Sequence, residues 1–161
     1  MTTTPYPPIA DADWPPAIAD LATGFAGRLN VYRVMAHHPA LLRAWAGLRE
    51  HVVRETALGP ERSEVVILRT GARLGADYEW SHHIVRGRAA GLSDARIRAL
   101  AGSVTAMAAE DATLAGAVDA LIDRRRLSAA EHDALAALVG VEGVFDLIAT
   151  VGFYATLCYI L

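Results

Sequence analysis

One cysteine, Cys158, stands among 161 residues. A lone thiol closes off an intrachain disulfide, a Cys-x-x-Cys redox pair and a thiolate zinc cage. It lies in an apolar tract near the end and reads as a small packed hydrophobe. Aromatic residues are scarce at 7%, so the 53% that is apolar is mostly Ala, Leu, Val and Ile. Ala and Leu are among the best helix formers, and small side chains let helices approach closely. There is no basic surplus either. A net charge of −3 argues against nucleic acid as a partner, which demands a basic face. The run Arg124-Arg125-Arg126 falls at an expected helix end, where it complements the dipole. The first residues lack a basic stretch followed by an apolar one, so no signal peptide is expected and the cytoplasm is the default location. From Leu147 to Leu161 the chain is apolar for fifteen residues. A bilayer span takes ~20. A buried helix at a core or subunit interface is expected instead, and no membrane.

What remains is helical. The first sixteen residues hold five of the seven prolines and read as an extended arm, residues 1–16. Helical patterning then runs through residues 17–161 without strand-like alternation, as one all-α domain of about seven or eight helices. Phe25 to Met35 forms one segment. Pro39 opens a helix to about Arg54, and Pro60 opens another that includes Leu68 and Leu74. Asp77 is an N-cap candidate for a helix ending at Gly91, and Ser93 for the short helix after it. A further helix follows Asp111. Ser128-Ala-Ala-Glu131 is a capping-box pattern, and the final helix begins near Val141.

Chemistry-bearing residues concentrate between Glu61 and Asp94. Glu79 and His83 are four apart and share a helix face, with Cβ atoms ~6 Å apart. Gly87, Ala90 and Gly91 keep that face small, which admits a neighbouring helix or leaves space for a ligand. On the preceding helix Glu64, Leu68, Gly71 and Gly75 form a similar strip. Antiparallel packing across Gly75 would bring Glu64 towards Glu79 and His83. Two carboxylates around one imidazole make an acid–base constellation, since burial and neighbouring charge keep one group protonated near neutrality. The plainer alternative is a helix-surface Glu–His pair. Glu79-x-x-His82 has the spacing of half a di-iron site, but no second Glu-x-x-His accompanies it, so no metal is expected. His37 and His38, before Pro39, read as structural, with a protonated ring easing a helix dipole. Trp45 and Trp80 read as core or interface anchors, and Tyr154 either reaches the pocket or packs.

The segment from Glu61 to Leu100, with Glu64, the block Tyr78-Glu-Trp-x-x-His83 and the ending Ala-Ala-Gly91-Leu-Ser93, resembles the core of the carboxymuconolactone decarboxylase family. That family includes the alkyl hydroperoxidase D proteins. The lead-ins from Asn30 and Ala36 and the terminal Val151-Gly-Phe-Tyr154 resemble it too, so the likeness covers residues 25 to 160. It implies the alkyl hydroperoxidase D-like helical fold and a trimer or hexamer. In the peroxidase branch two cysteines precede the histidine. The matching positions here are Ala76 and Glu79, so dithiol peroxidase chemistry is excluded. The decarboxylase branch uses no cofactor and handles a small carboxylated lactone. The resemblance then implies His83 and Glu79 as the acid–base pair and Glu64 as orienter, with Tyr78 as pocket donor. Arg33, Arg69 or Arg73 would hold the substrate carboxylate. The late Tyr-x-Gly-x-Pro signature of that branch is missing, since Val151-Gly-Phe-Tyr-Ala-Thr has no proline, which leaves the substrate open. The expectation is a cofactor-free lyase acting on a small oxygenated acid or lactone. The alternative is a non-catalytic helical oligomer that binds a ligand or partner.

Overall fold

The computed structural model describes residues 6–161. Eight α-helices and no strand occur among them, so the chain is all-α. It divides into two compact units: one runs to His51 and includes Tyr159–Leu161, and the other is Val52–Cys158.

In the first unit, 3-10 turns at Asp11–Asp13 and Pro16–Ile18 precede α1 (Ala19–Ala22), α2 (Asn30–Met35) and α3 (Pro39–Glu50). The single segment expected from Phe25 to Met35 is a 3-10 turn, Ala26–Arg28, and then α2, with Leu29 extended between them. Gly27, inside the turn, admits the backbone of Ala22. A Cβ there would fall 1.8 Å from the carbonyl oxygen of Ala22, inside another residue's backbone. Arg33 is tied down locally, donating to the carbonyls of Gly27 and Ile9 at 2.9 and 2.8 Å and pairing with Asp11. His38 caps α3 by accepting the Leu41 N–H through Nδ1 at 3.3 Å. Its role at this helix start is structural, as a hydrogen-bond acceptor.

The second unit holds α4 (Gly59–Leu74), α5 (Asp77–Ala89), α6 (Asp94–Leu100) and α7 (Ala109–Arg124). It also holds most of α8 (Ala129–Ile160), which breaks at Gly140 (φ 73, ψ 174), where a final helix was expected to start. Pro60 opens α4. Ser93 Oγ accepts the Arg96 N–H, and Ser128 and Glu131 close their capping box reciprocally. One expected cap is absent, and one helix starts earlier than expected. Asp77 lies inside α5, behind an Ala76 N-cap, and Asp111 lies in the first turn of α7, where Arg96 grips it through two nitrogens at 3.0 and 2.8 Å.

The core of this unit is Leu68, Leu100, Leu114, Val118, Leu135 and Leu147, all fully buried, with Trp80 packed against it. Gly87 lets α5 lie close: a Cβ there would meet Leu92 Cδ1 at 3.2 Å and Leu68 Cδ1 at 3.3 Å. Asp146 of α8 accepts the Ala57 N–H at 2.6 Å and the Thr56 hydroxyl at 3.1 Å, anchoring the helix to the turn before α4. By length and composition α8 is the one helix among the described residues apolar enough to cross a membrane, a test that core helices also pass.

Candidate functional site

Gly75 and Ala76 turn the chain between α4 and α5. Gly75 is left-handed (φ 66), and its N–H closes α4 on the carbonyl of Ala72. The two helices then pack on each other, with Gly71 of α4 facing the first turn of α5 at ordinary van der Waals distance. A Cβ there would stand 3.7 Å from the Trp80 nitrogen and 3.9 Å from the Glu79 Cβ. This close approach aligns Glu64 of α4 with Glu79 and His83 of α5.

The three side chains meet inside the unit. The Nδ1–H of His83 donates to Glu64 Oε2 at 2.7 Å, and Nε2 faces Glu79 Oε2 at 3.7 Å. Glu64 is 7% exposed, Glu79 5% and His83 3%, so bulk water does not bathe them. Glu79 Oε1 is buried without a hydrogen-bond partner among the described residues. Burial pushes the Glu79 carboxyl above its ordinary range, against the pull of His83, His82 and Arg86. The Glu64 carboxylate, an acceptor, draws a proton to Nδ1 and leaves Nε2 facing Glu79.

Two groups complete the surroundings. The Tyr154 ring of α8 stands edge-on to the His83 ring, centroids 5.0 Å apart. Arg86, half exposed, brings Nε to 3.5 Å from Glu64 Oε1. A cavity of about 300 Å³ opens beside them, lined by Val52, Ser63, Glu64, Ile67, Arg86 and Tyr154 among others. His83 and Glu79 are not on its wall. The buried relay therefore touches the cavity through Glu64 alone. Ser63 Oγ, also buried, has no hydrogen-bond partner among the described residues.

The other expected binding residues lie elsewhere. Arg69 donates to both oxygens of Asp119 at 2.8 and 2.6 Å and to the carbonyls of Leu100 and Gly102. Arg73 pairs with Asp119 and Asp123. Arg33 holds the local contacts of the first unit. Tyr78 is half-buried and lies against His82, centroids 4.3 Å apart, off the cavity wall. Sequence reasoning passed over Ser63 and Arg86. Arg86 had a signal: Glu79, His83 and Arg86 fall at i, i+4 and i+7, one face of one helix. Among the described residues no group of three or more His, Cys, Asp or Glu side chains is arranged to hold a metal ion.

Fold and geometry together define a small all-α protein with a buried carboxylate–imidazole–carboxylate centre. The chain belongs to the carboxymuconolactone decarboxylase family, whose model matches residues 39–123, more than half its length and all three members of that centre. Comparison with curated proteins and with solved structures returned no match.

Proposed function

We propose that the chain is a cofactor-free, carboxymuconolactone decarboxylase-like enzyme that decarboxylates or isomerises a small oxygenated acid or lactone by proton transfer. The observation that carries this reading is the Glu64–His83 hydrogen bond of 2.7 Å, buried beside a cavity that Glu64 lines. The roles differ from those the resemblance implies, because Glu64 is the group in reach of a ligand. Glu64 acts as the terminal acid or base, His83 as the relay, and Glu79, favoured as the neutral acid by its burial, as the proton reserve.

In a decarboxylation the bond to the departing CO₂ breaks, and its electron pair enters a conjugated enolate. Protonated Glu64 delivers a proton to carbon. The Nδ1–H of His83 restores it, and Glu79 supplies Nε2 once a side-chain rotation closes the 3.7 Å gap. One proton from solvent balances the cycle. For an isomerisation, ionised Glu64 removes a proton from one carbon and returns it to another.

The test is turnover of small lactone acids, followed by CO₂ release and by deuterium entering the product from heavy water. His83→Gln and Glu64→Gln should each lower turnover by about a hundredfold or more while the protein stays folded. Activity that survives either change defeats the assignment. A second reading, a ligand-binding helical oligomer without catalysis, draws support from His83 and Glu79 standing off the cavity wall. Saturable binding with no deuterium incorporation would decide for it. In either case we propose a cytoplasmic homo-oligomer, a trimer or hexamer.

A further inference from the structure

We propose that Arg86 and Ser63 form the carboxylate-binding end of the cavity, so that the ligand is a small monocarboxylic acid held by its acid group. This deepens the preceding reading and rests on it for the chemistry, though not for the binding. Three observations carry it. Arg86 lines the cavity, and its link to Glu64 is a single ion pair at 3.5 Å from Nε. By contrast, Arg69 and Arg96 each grip an aspartate through two nitrogens. Arg86 has fork geometry to spare for a bidentate carboxylate. Independently, Ser63 is 6% exposed and lines the same cavity, and its buried Oγ has no hydrogen-bond partner among the described residues, a cost that an acceptor on a ligand removes.

The remaining wall explains what else the ligand must be. Val52, Val53 and Ile67 are apolar and fit a hydrocarbon body, and a volume of about 300 Å³ limits it to a small molecule. Glu64 adds a negative charge to the same wall, but His83 hydrogen-bonds to it and Arg86 lies beside it. A ligand carboxylate on Arg86 and Ser63 would share the cavity wall with Glu64, the group that exchanges protons with the neighbouring carbons. Arg86 is thus a specificity residue: it selects acids and fixes which end of the ligand meets the relay.

Binding of benzoate and hexanoate, compared with benzamide and hexanamide, tests this without knowledge of the true substrate. Calorimetry gives affinities, and ligand-to-methyl contacts in NMR report on Val52 and Ile67. The parent protein should bind each acid about tenfold or more tightly than its amide. Arg86→Gln should erase that preference, Arg86→Lys should keep part of it, and Ser63→Ala should weaken acid binding severalfold. His83→Gln should retain the preference, so a failed relay and a failed anchor are told apart. Equal binding of acids and amides, no binding of either at tens of millimolar, or a preference that outlives Arg86→Gln would overturn the proposal.

Discussion

Glu79 carries a burial penalty that can be read as a pH dependence. Its folded-state pKa lies above the ordinary 4.5, chiefly through desolvation. The unfolded chain therefore gives up this proton at lower pH than the folded one. The charged form is absent below about pH 4 and weighs against the fold increasingly as pH rises past that point. Glu79→Gln removes the titration and keeps the shape. The variant should match the parent in Tm near pH 4, exceed it increasingly as pH rises through the folded-state pKa of Glu79, and keep a constant advantage above it. Scanning calorimetry from about pH 4 to about pH 8 is the check, and an offset equal at every pH would show that Glu79 is not the buried acid described above. Cys158 makes the complementary case. Burial, and then the charge of Glu79, push its thiol up to about 11. At pH 8 so little thiolate exists that alkylation should run roughly a hundredfold slower than for a free cysteine. Rapid labelling at pH 8 would contradict that, and would revive a thiol chemistry that a single cysteine otherwise leaves without a partner.

At the scale of elements, periodicity and punctuation made most of the fold legible. Pro39, Pro60, Ser93 and the Ser128–Glu131 box each stand where a helix starts, because each satisfies or removes an orphan N–H locally. Gly140 marks a true break for the same reason: its positive φ is a one-residue property. Asp77 misled by one residue, since Ala76 holds the N-cap position of α5, and the Arg96–Asp111 pair joins residues too far apart along the chain for periodicity to show it. The meeting of Glu64 with His83 could be anticipated from small residues on two adjacent helices. The cavity could not, because Tyr154 arrives from α8 and no local signal says which face it presents. Gly87 was ambiguous between close packing and open space, and the contacts decide for packing. Alanine there regains about 1 kcal/mol of helix propensity against tight but flexible leucine ends, so Gly87→Ala should be nearly neutral. Gly87→Val should cost about 1–3 kcal/mol by overpacking. Urea denaturation measures both, and a valine variant as stable as the parent would mean that α5 does not lie as close as described.

For the whole molecule the open question is what covers α8. Its inner face is committed: Leu147 and Leu157 are buried in the unit, and Asp146 holds the turn before α4. On the outer face Val141, Phe145 and Ile148 follow one another at i, i+4 and i+7, with Val141 67% and Phe145 68% exposed. A charged side chain could occupy any of those positions without disturbing the core, so an apolar stripe there favours burial against another surface. A second copy of the chain is the simplest occupant, since closed symmetric assembly buries the same stripe on every copy. The prediction is that the parent protein runs as a trimer or hexamer in light scattering coupled to gel filtration. Phe145→Glu should shift it towards monomer with its helical circular dichroism unchanged. The substitution is distant in kind from the relay, since Phe145 takes no part in the cavity wall. Loss of assembly and loss of carboxylate binding can therefore be scored separately. A parent protein that is monomeric at micromolar concentration, or a Phe145→Glu variant that still assembles, would mean that this stripe faces something other than itself.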